Sequence, residues 1–143
     1  MTYLPDVNVW VALAVAEHVH QNAARQWLDS VIDDDIAFCR VTQMGLLRLL
    51  TNPSAFGKDV LTASTAWKVF DLFAQDGRVV FAPEPAGLSS EWRAASENRA
   101  AGANFWTDAY LAAFAMTAEV AIVTFDRGFR DHRGVQVRLL RQE

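Results

Sequence analysis

The fold of this chain is decided by the stretch NFWTDAYLAAFAMTAEVAIVTFDRGF, which covers residues 104–129. Its first half is rich in alanine and contains no helix breaker, which predicts a helix buried on several sides. Residues 120–125 form a short apolar run with β-branched side chains, which is typical of a strand covered on both faces. Asp108 lies in the first turn of the helix, and Asp126 lies just past the strand. A carboxylate among apolar neighbours needs a partner that stabilises its charge.

The composition predicts an ordinary globular protein with a single domain over residues 1–143. The chain is 52% hydrophobic and 21% charged, and its net charge is −4. That charge argues against a protein that binds nucleic acid through overall electrostatics, but not against an enzyme that gathers its acids in one cleft. There is one cysteine, no N-terminal targeting segment and no apolar run near ~18 residues. We therefore expect a cytoplasmic protein without disulfides or membrane segments.

Helices and short apolar strands alternate along the rest of the chain. This alternation predicts an α/β fold with a central, mostly parallel sheet of about four to five strands between layers of helices. Pro53 predicts the end of a helix and a loop over residues 54–58. Residues 127–133 are predicted to form a polar turn or a short helix. The other predicted strands are residues 2–5, 36–39, 78–82 and 136–140. The other predicted helices are residues 9–16, 21–32, 43–50, 62–75 and 88–101, the first capped by Asn8 and the third by Thr42.

A third aspartate, Asp6, follows the first predicted strand. In open parallel sheets, ligands bind outside the carboxyl ends of the strands, where the strand order reverses. Asp6 and Asp126 both follow strand ends, and Asp108 opens a helix at the same edge, so we expect the three to converge. Each also has a local alternative, which is capping for Asp6 and Asp108 and turn formation for Asp126.

Three converging carboxylates favour one kind of chemistry. They repel one another, which raises the pKa of at least one of them, unless a divalent cation keeps all of them ionised. Oxygen ligands favour Mg²⁺ or Mn²⁺ over zinc, and Mg²⁺ commonly binds phosphate oxygens. The sequence contains no phosphate-binding glycine loop, dinucleotide fingerprint or Ser-His-Asp set. The pattern therefore favours metal-assisted hydrolysis of a phosphate ester.

Four segments resemble the PIN-domain ribonucleases and, within them, the VapC toxins of bacterial toxin–antitoxin pairs. They are Asp6-Val7-Asn8, residues 42–53, residues 104–115 and residues 124–129. The resemblance implies a three-layer α/β/α PIN-like domain and a Mg²⁺- or Mn²⁺-dependent endoribonuclease. It also implies a homodimer and a cognate VapB-type antitoxin that blocks the acidic cleft.

The resemblance assigns roles to individual residues. The expected metal ligands and catalytic residues are Asp6, Asp108 and Asp126. The residues expected to support them are Asn8, Thr124 and Asn104, of which Asn104 has helix capping as an alternative. Basic residues that flank the motifs are candidates for RNA binding, with ordinary surface charge as their alternative. They are Arg48, Lys58, Arg127 and Arg130.

The sequence departs from the VapC pattern at two positions. Gly45 stands where most of these toxins carry a glutamate, and Gly128 stands where many carry a second aspartate after Asp126. We expect weaker metal binding, or an acid recruited from elsewhere, such as Glu84. The departures leave open a catalytically silent PIN domain that binds RNA or a protein. A receiver-like phosphoacceptor domain is disfavoured because it needs adjacent acids near the first strand and a lysine after the last.

Overall fold

The computed structural model describes residues 1–97, 99 and 102–141 of the chain. Its centre is a five-stranded sheet in which all neighbouring strands are parallel, in the order β3-β2-β1-β4-β5. This confirms the predicted α/β class and parallel sheet. The strands are β1 (Thr2–Pro5), β2 (Asp35–Phe38), β3 (Val79–Phe81), β4 (Ala121–Thr124) and β5 (Gln136–Leu139).

Helices cover both faces of the sheet. Neighbouring residues on one strand point to opposite faces, and they belong to two different buried clusters: Ile36 and Val123 to one, Ala37 and Ile122 to the other. The domain therefore has three layers, as predicted. The helices are α1 (Val7–Ala14), α2 (Gln21–Ser30), α3 (Arg40–Leu50), α4 (Pro53–Phe56), α5 (Ala63–Ala74), α6 (Leu88–Ser96) and α7 (Phe105–Ala118). Two short 3₁₀ segments complete the described structure, Gly57–Asp59 and Arg127–Asp131.

Helix α7 and strand β4 have the burial that their composition predicts. Seven consecutive residues of α7, numbers 109–115, are buried, and so is every residue of β4. The alanines allow α7 to pack closely against its neighbours on several sides. Asp108 lies immediately before this buried run, so its position is fixed by the packing of the helix.

Two predicted helix caps are wrong. Asp6, not Asn8, caps α1, since its Oδ1 accepts a hydrogen bond from the Val9 N–H at 3.1 Å. Asn8 lies inside the helix because the extended backbone of Asp6 already turns the chain into it. Likewise, α3 is longer than predicted and has Cys39 at its cap position. Thr42 lies in the first turn, where its Oγ1 accepts from the Cys39 N–H at 3.0 Å.

The predicted loop over residues 54–58 is also wrong. Pro53 is the first residue of α4, where the missing proline N–H costs nothing, and the Asn52 side chain accepts from the Ser54 N–H at 2.9 Å. The helix predicted over residues 88–101 ends at Ser96, and residues 98, 100 and 101 of that range lie outside the described residues. Residues 127–131 adopt the short helix that was one of the two options for that segment.

The strand order creates one crevice at the carboxyl edge of the sheet. From β1 the chain builds β2 and β3 on one side, and β4 and β5 lie on the other. The reversal therefore lies between β1 and β4, which pair through Pro5 and Val123 at their carboxyl ends. Asp6 and Asp126 follow these two strands. Among the described residues, no helix has the length and apolar character needed to span a bilayer.

Candidate active site

Asp6 is held rigidly at the carboxyl end of β1. Its side chain is 6% exposed. Its Oδ1 accepts from the Val9 N–H, its Oδ2 accepts from the Thr124 hydroxyl, and its own N–H donates to the Val123 carbonyl at 2.9 Å. Every one of these contacts comes from α1 or β4, so the crevice between the two central strands fixes the carboxylate.

Thr124 connects Asp6 to Asp126. Its side chain is fully buried, and its Oγ1 accepts from the Asp126 N–H at 2.9 Å while donating to Asp6. The Asp126 carboxylate accepts from the Gly128 N–H at 2.8 Å, which starts the 3₁₀ segment. The Thr124 hydroxyl therefore links Asp6 and Asp126, two of the three predicted metal ligands.

Asp108 shares a cavity with each of the other two aspartates. It lines a cavity of about 410 Å³ together with Asp6, and a second cavity of about 320 Å³ together with Asp126. We refer to these two cavities together as the aspartate cleft. The three predicted carboxylates thus meet at the expected edge of the sheet.

The charges of the three aspartates repel one another. Burial raises the pKa of Asp6 to about 6, against the Thr124 and Val9 hydrogen bonds that lower it, and the charge of Asp126 raises it further. Burial also raises the pKa of Asp108 to about 6, assisted by the charges of Asp126 and Asp6. In the described part of the chain, neither salt bridge involves any of the three. Arg48 and Arg99 line the two cavities, but neither forms a salt bridge with these carboxylates in the described part of the chain.

The carboxylates of Asp6, Asp108 and Asp126 do not form a preformed metal-binding site. Among residues 1–97, 99 and 102–141, no three His, Cys, Asp or Glu side chains form a group that could hold a metal ion. Both Asp6 oxygens accept hydrogen bonds from the protein. Magnesium sites commonly use only one or two carboxylates and complete their shell with water and substrate oxygens. The all-oxygen donor set fits such a cation better than zinc.

The wall of the cleft carries three other residues that the motifs single out. Asn8, Arg48 and Asn104 all line the cavity that contains Asp6 and Asp108. Their side chains are exposed at its rim. Asn104 occupies the cap position of α7, but its side chain makes no capping hydrogen bond, so the capping alternative is wrong.

Comparison with known proteins identifies the family. A model of the PIN domain matches residues 3–135. The chain belongs to the PIN-domain family. Within it, the chain is 45% identical over 142 residues to Ribonuclease VapC41 of Mycobacterium tuberculosis, covering 96% of this chain and 97% of that protein. This confirms the resemblance to the VapC group.

Solved structures of VapC proteins share the PIN fold. The structure of VapBC2 from Rickettsia felis bound to a promoter DNA fragment superposes with a TM-score of 0.73 and 16% identity, covering 99% of this chain and 100% of that one. VapC20 of Mycobacterium tuberculosis, a toxin that cleaves the sarcin–ricin loop, gives a TM-score of 0.68 and 17% identity over 95% and 98% of the two chains. At these identities the likeness concerns the fold alone.

This PIN domain does not recruit Glu84 to replace a missing acid. Glu84 accepts a hydrogen bond from the Tyr110 hydroxyl at 3.2 Å and lines neither cavity of the aspartate cleft. Of the basic residues predicted to bind RNA, only Arg48 lines the cleft. Lys58, Arg127 and Arg130 are exposed but line neither cavity.

Four polar residues of the cleft were not predicted from the sequence: Arg99, Asp131, His132 and Thr107. Arg99 and His132 line the same cavity as Asp108 and Asp126. Arg99 follows α6, and His132 follows the 3₁₀ segment, so neither belongs to a motif. The only signal in the sequence was the density of charge over residues 127–133, which on its own indicates no site.

The two glycines that replace acids in this PIN domain have structural consequences. A Cβ atom on Gly45 would lie 2.5 Å from Val7 Cγ2 and 3.2 Å from Val7 Cγ1. A Cβ atom on Gly128 would lie 3.1 Å from Asp126 Oδ1. Gly45 thus allows α3 to approach the start of α1. Val7 fills the space beside Gly45, the position at which a glutamate was expected.

Proposed function

We propose that this protein is a metal-dependent endoribonuclease toxin that hydrolyses RNA phosphodiester bonds and is held inactive by a VapB-type antitoxin. The observation that carries the proposal is the convergence of Asp6, Asp108 and Asp126 at the switch point between β1 and β4. The relative named as ribonuclease VapC41, at 45% identity over nearly the full length, supports the choice of RNA as the substrate.

The three aspartates fit a hard divalent cation. The raised pKa values of Asp6 and Asp108 indicate carboxylates that lack a compensating positive charge. Mg²⁺ or Mn²⁺ between Asp6, Asp108 and Asp126 would supply that charge and favour ionisation at neutral pH. When bound there, the cation would polarise a phosphoryl oxygen and orient a water molecule for attack.

Other residues of the chain would position the metal ligands and the substrate. Thr124 and the backbone hold Asp6 and Asp126 in fixed positions, so the site would need little rearrangement when RNA binds. Arg48 lies on the wall of the same cavity, where its guanidinium could bind a phosphate of the substrate. Asn8 and Asn104 at the rim would orient ligands or substrate through their amides.

Cleavage of a defined RNA by the purified protein would test the proposal. We expect EDTA to abolish cleavage and added Mn²⁺ or Mg²⁺ to restore it. Asp108→Asn and Asp126→Asn should each reduce the rate by at least about a hundredfold, since each removes a charge that the reaction needs. Asp71→Asn is the matched control, because Asp71 is exposed on α5. Cleavage that persists in EDTA would refute the metal-dependent mechanism.

A catalytically silent PIN domain that binds RNA or a protein is the second candidate. It is favoured by the absence of a closed cage of three acids in the described residues and by Gly45 and Gly128. Expression of Asp6→Asn and Asp108→Asn proteins in a growth-arrest assay would separate the two candidates. Arrest that survives both substitutions would favour binding over cleavage.

The proposed toxin would act in the cytoplasm as a homodimer. A protein inhibitor would bind it and hold it inactive. Exposed apolar side chains on α5 and on the edge strand β3 provide surface for a second copy; Trp67 is 49% exposed, Leu72 66% and Phe81 45%. The mass in solution, measured by light scattering for wild type and Leu72→Glu, would test the dimer. A monomeric wild type at micromolar concentration would contradict it.

A further inference from the structure

A second groove opens from the aspartate cleft on the side of α6. It has a volume of about 550 Å³ and lies between α6, α7 and the segment that leads into β5. We call it the side groove. It shares Arg99, Asp131 and His132 with the cavity that contains Asp108 and Asp126. A chain molecule lying in the cleft could therefore extend into the side groove without leaving the surface.

The floor of the side groove is apolar and made of small side chains. Ala94 and Ala95 of α6 line the groove with Ala112 and Ala113 of α7, which are almost fully buried, and Met116 and Val135 complete the apolar lining. Because alanines project so little, they leave space between the two helices. A flat ring with apolar faces suits such a slot better than a branched side chain.

The walls of the side groove carry charges of both signs. Arg99 donates from Nη2 to the Asp131 backbone carbonyl at 2.8 Å, which positions its guanidinium without neutralising it. Neither Arg99 nor Arg133 takes part in a salt bridge within the described residues. The carboxylates of Glu91 and Asp131 line the same walls. The groove thus offers cations for phosphates and acceptors for amino groups.

The half-buried His132 lies where the side groove meets the aspartate cleft. Burial lowers the pKa of its imidazole, and the nearby charge of Arg99 lowers it further. A neutral imidazole can both donate and accept a hydrogen bond. That is suitable for contact with the sugar hydroxyls or base edges of RNA.

We propose that the side groove binds a nucleotide of the substrate RNA that neighbours the cleaved bond, and so contributes to sequence selection. The base lies on the alanine floor, a phosphate contacts Arg99 or Arg133, and Glu91 accepts hydrogen bonds from exocyclic amino groups. This inference rests on the proposed ribonuclease function. RNA is favoured over an antitoxin segment because the groove continues the cleft and because it is lined by Arg99 and Arg133, which form no salt bridge within the described residues.

Two substitutions test the side groove without altering the aspartates. Ala94→Trp fills the slot from an exposed position on α6, and Ala55→Trp at an exposed position on α4 is its matched control. Arg133→Gln removes one cation, with Arg25→Gln on α2 as its control. The substrates are an oligoribonucleotide that the wild type cuts once and two shorter versions, trimmed next to the cut on the 5′ or the 3′ side.

We expect Ala94→Trp to lower kcat/KM for the full oligoribonucleotide by about tenfold, because the indole occupies the space of the base; this corresponds to about 1.4 kcal/mol of lost contact. One trimmed substrate should be cut equally by Ala94→Trp and wild type, because it lacks the nucleotide that the groove binds. Arg133→Gln should reduce the slope of log affinity against log salt by about one, whereas Arg25→Gln should not. Equal losses on all three substrates, or no loss, would overturn the proposal. So would an Ala94→Trp protein that cuts RNA normally but no longer binds its antitoxin.

A separate readout keeps this proposal distinct from the ribonuclease assignment. If the wild type cuts no RNA with Mg²⁺ or Mn²⁺, the enzymatic function fails. Whether the side groove binds RNA is then tested by fluorescence anisotropy with the same oligoribonucleotide, carrying a label. Weaker binding by Ala94→Trp than by Ala55→Trp would support it, and equal binding would refute it.

Discussion

The contact between Gly45 and Val7 predicts an unusual response to a routine substitution. Replacing a glycine inside a helix by alanine ordinarily stabilises a protein by about 1 kcal/mol. Here the new Cβ would lie 2.5 Å from Val7 Cγ2, about 1 Å closer than carbon atoms pack. Valine is stiff about χ1, so α1 and α3 must separate. Overpacking of this kind costs about 1–3 kcal/mol. We therefore expect Gly45→Ala to destabilise the protein by up to about 2 kcal/mol.

A double-mutant cycle in urea measures this contact directly. Val7→Ala removes both methyl groups that face Gly45, so in that background Gly45→Ala should stabilise by about 1 kcal/mol. The coupling free energy between the two sites should be about 1–3 kcal/mol. If Gly45→Ala stabilises both backgrounds equally, the close approach is not real and the reasoning fails.

The same cycle bears on the missing acid. Gly45→Glu alone would disturb the start of α1, next to Asp6, and would confound any test of metal binding. The double variant Val7→Ala, Gly45→Glu provides room for the new side chain. We expect it to bind Mn²⁺ more tightly than Val7→Ala in isothermal titration; unchanged affinity would count against the idea that a ligand is missing.

Three further predictions concern stability. Because burial raises the pKa of Asp6 from 3.8 to about 6, the folded state holds this proton more tightly than the unfolded state, and the free energy of unfolding in EDTA should fall by about 2 kcal/mol as pH rises from 4 to 7. Asp6→Asn should flatten this dependence, measured by urea titrations across that range. Thr124→Val leaves the buried Asp6 without its hydroxyl donor and should cost about 1–3 kcal/mol, whereas Thr124→Ser should be milder, as thermal unfolding at pH 7 would show. Arg78 donates to the carbonyls of Leu28 and Val31 at the end of α2, so Arg78→Met should cost about 1.5–3 kcal/mol, and a loss no larger than that of Arg25→Met would contradict this role.

The sequence was sufficient to predict the parts of the site that lie on regular elements. Asp6 and Asp126 follow apolar runs that only a buried parallel strand explains, and their convergence then follows from sheet topology. It was harder to predict which of two neighbouring residues caps a helix or begins it. Asp6 and Asn8 are both good caps, and only the backbone direction after β1 decides between them. Pro53 is compatible with a helix end or a helix start, and Asn52 decides in favour of the start.

Contacts between elements that are distant in the chain could not be predicted from the pattern of residues in the sequence. Val7 and Gly45 are unremarkable by themselves, and their contact exists only because α1 and α3 pack side by side. Arg99 and His132 reach the cleft from irregular segments, which have no periodicity that predicts where a side chain points. The side groove likewise depends on the spacing between α6 and α7.

The hydrogen bond from Thr124 to Asp6 joins residues 118 positions apart. A ribosome that has made only the first hundred residues carries Asp6 but neither Asp108, Thr124 nor Asp126, so the nascent chain has no assembled centre. Strand β4 must then pair with β1 before the carboxylates meet. A protein with this order of assembly becomes harmful to its own cell only after nearly all of it has been translated, which leaves time for an inhibitor to be present first.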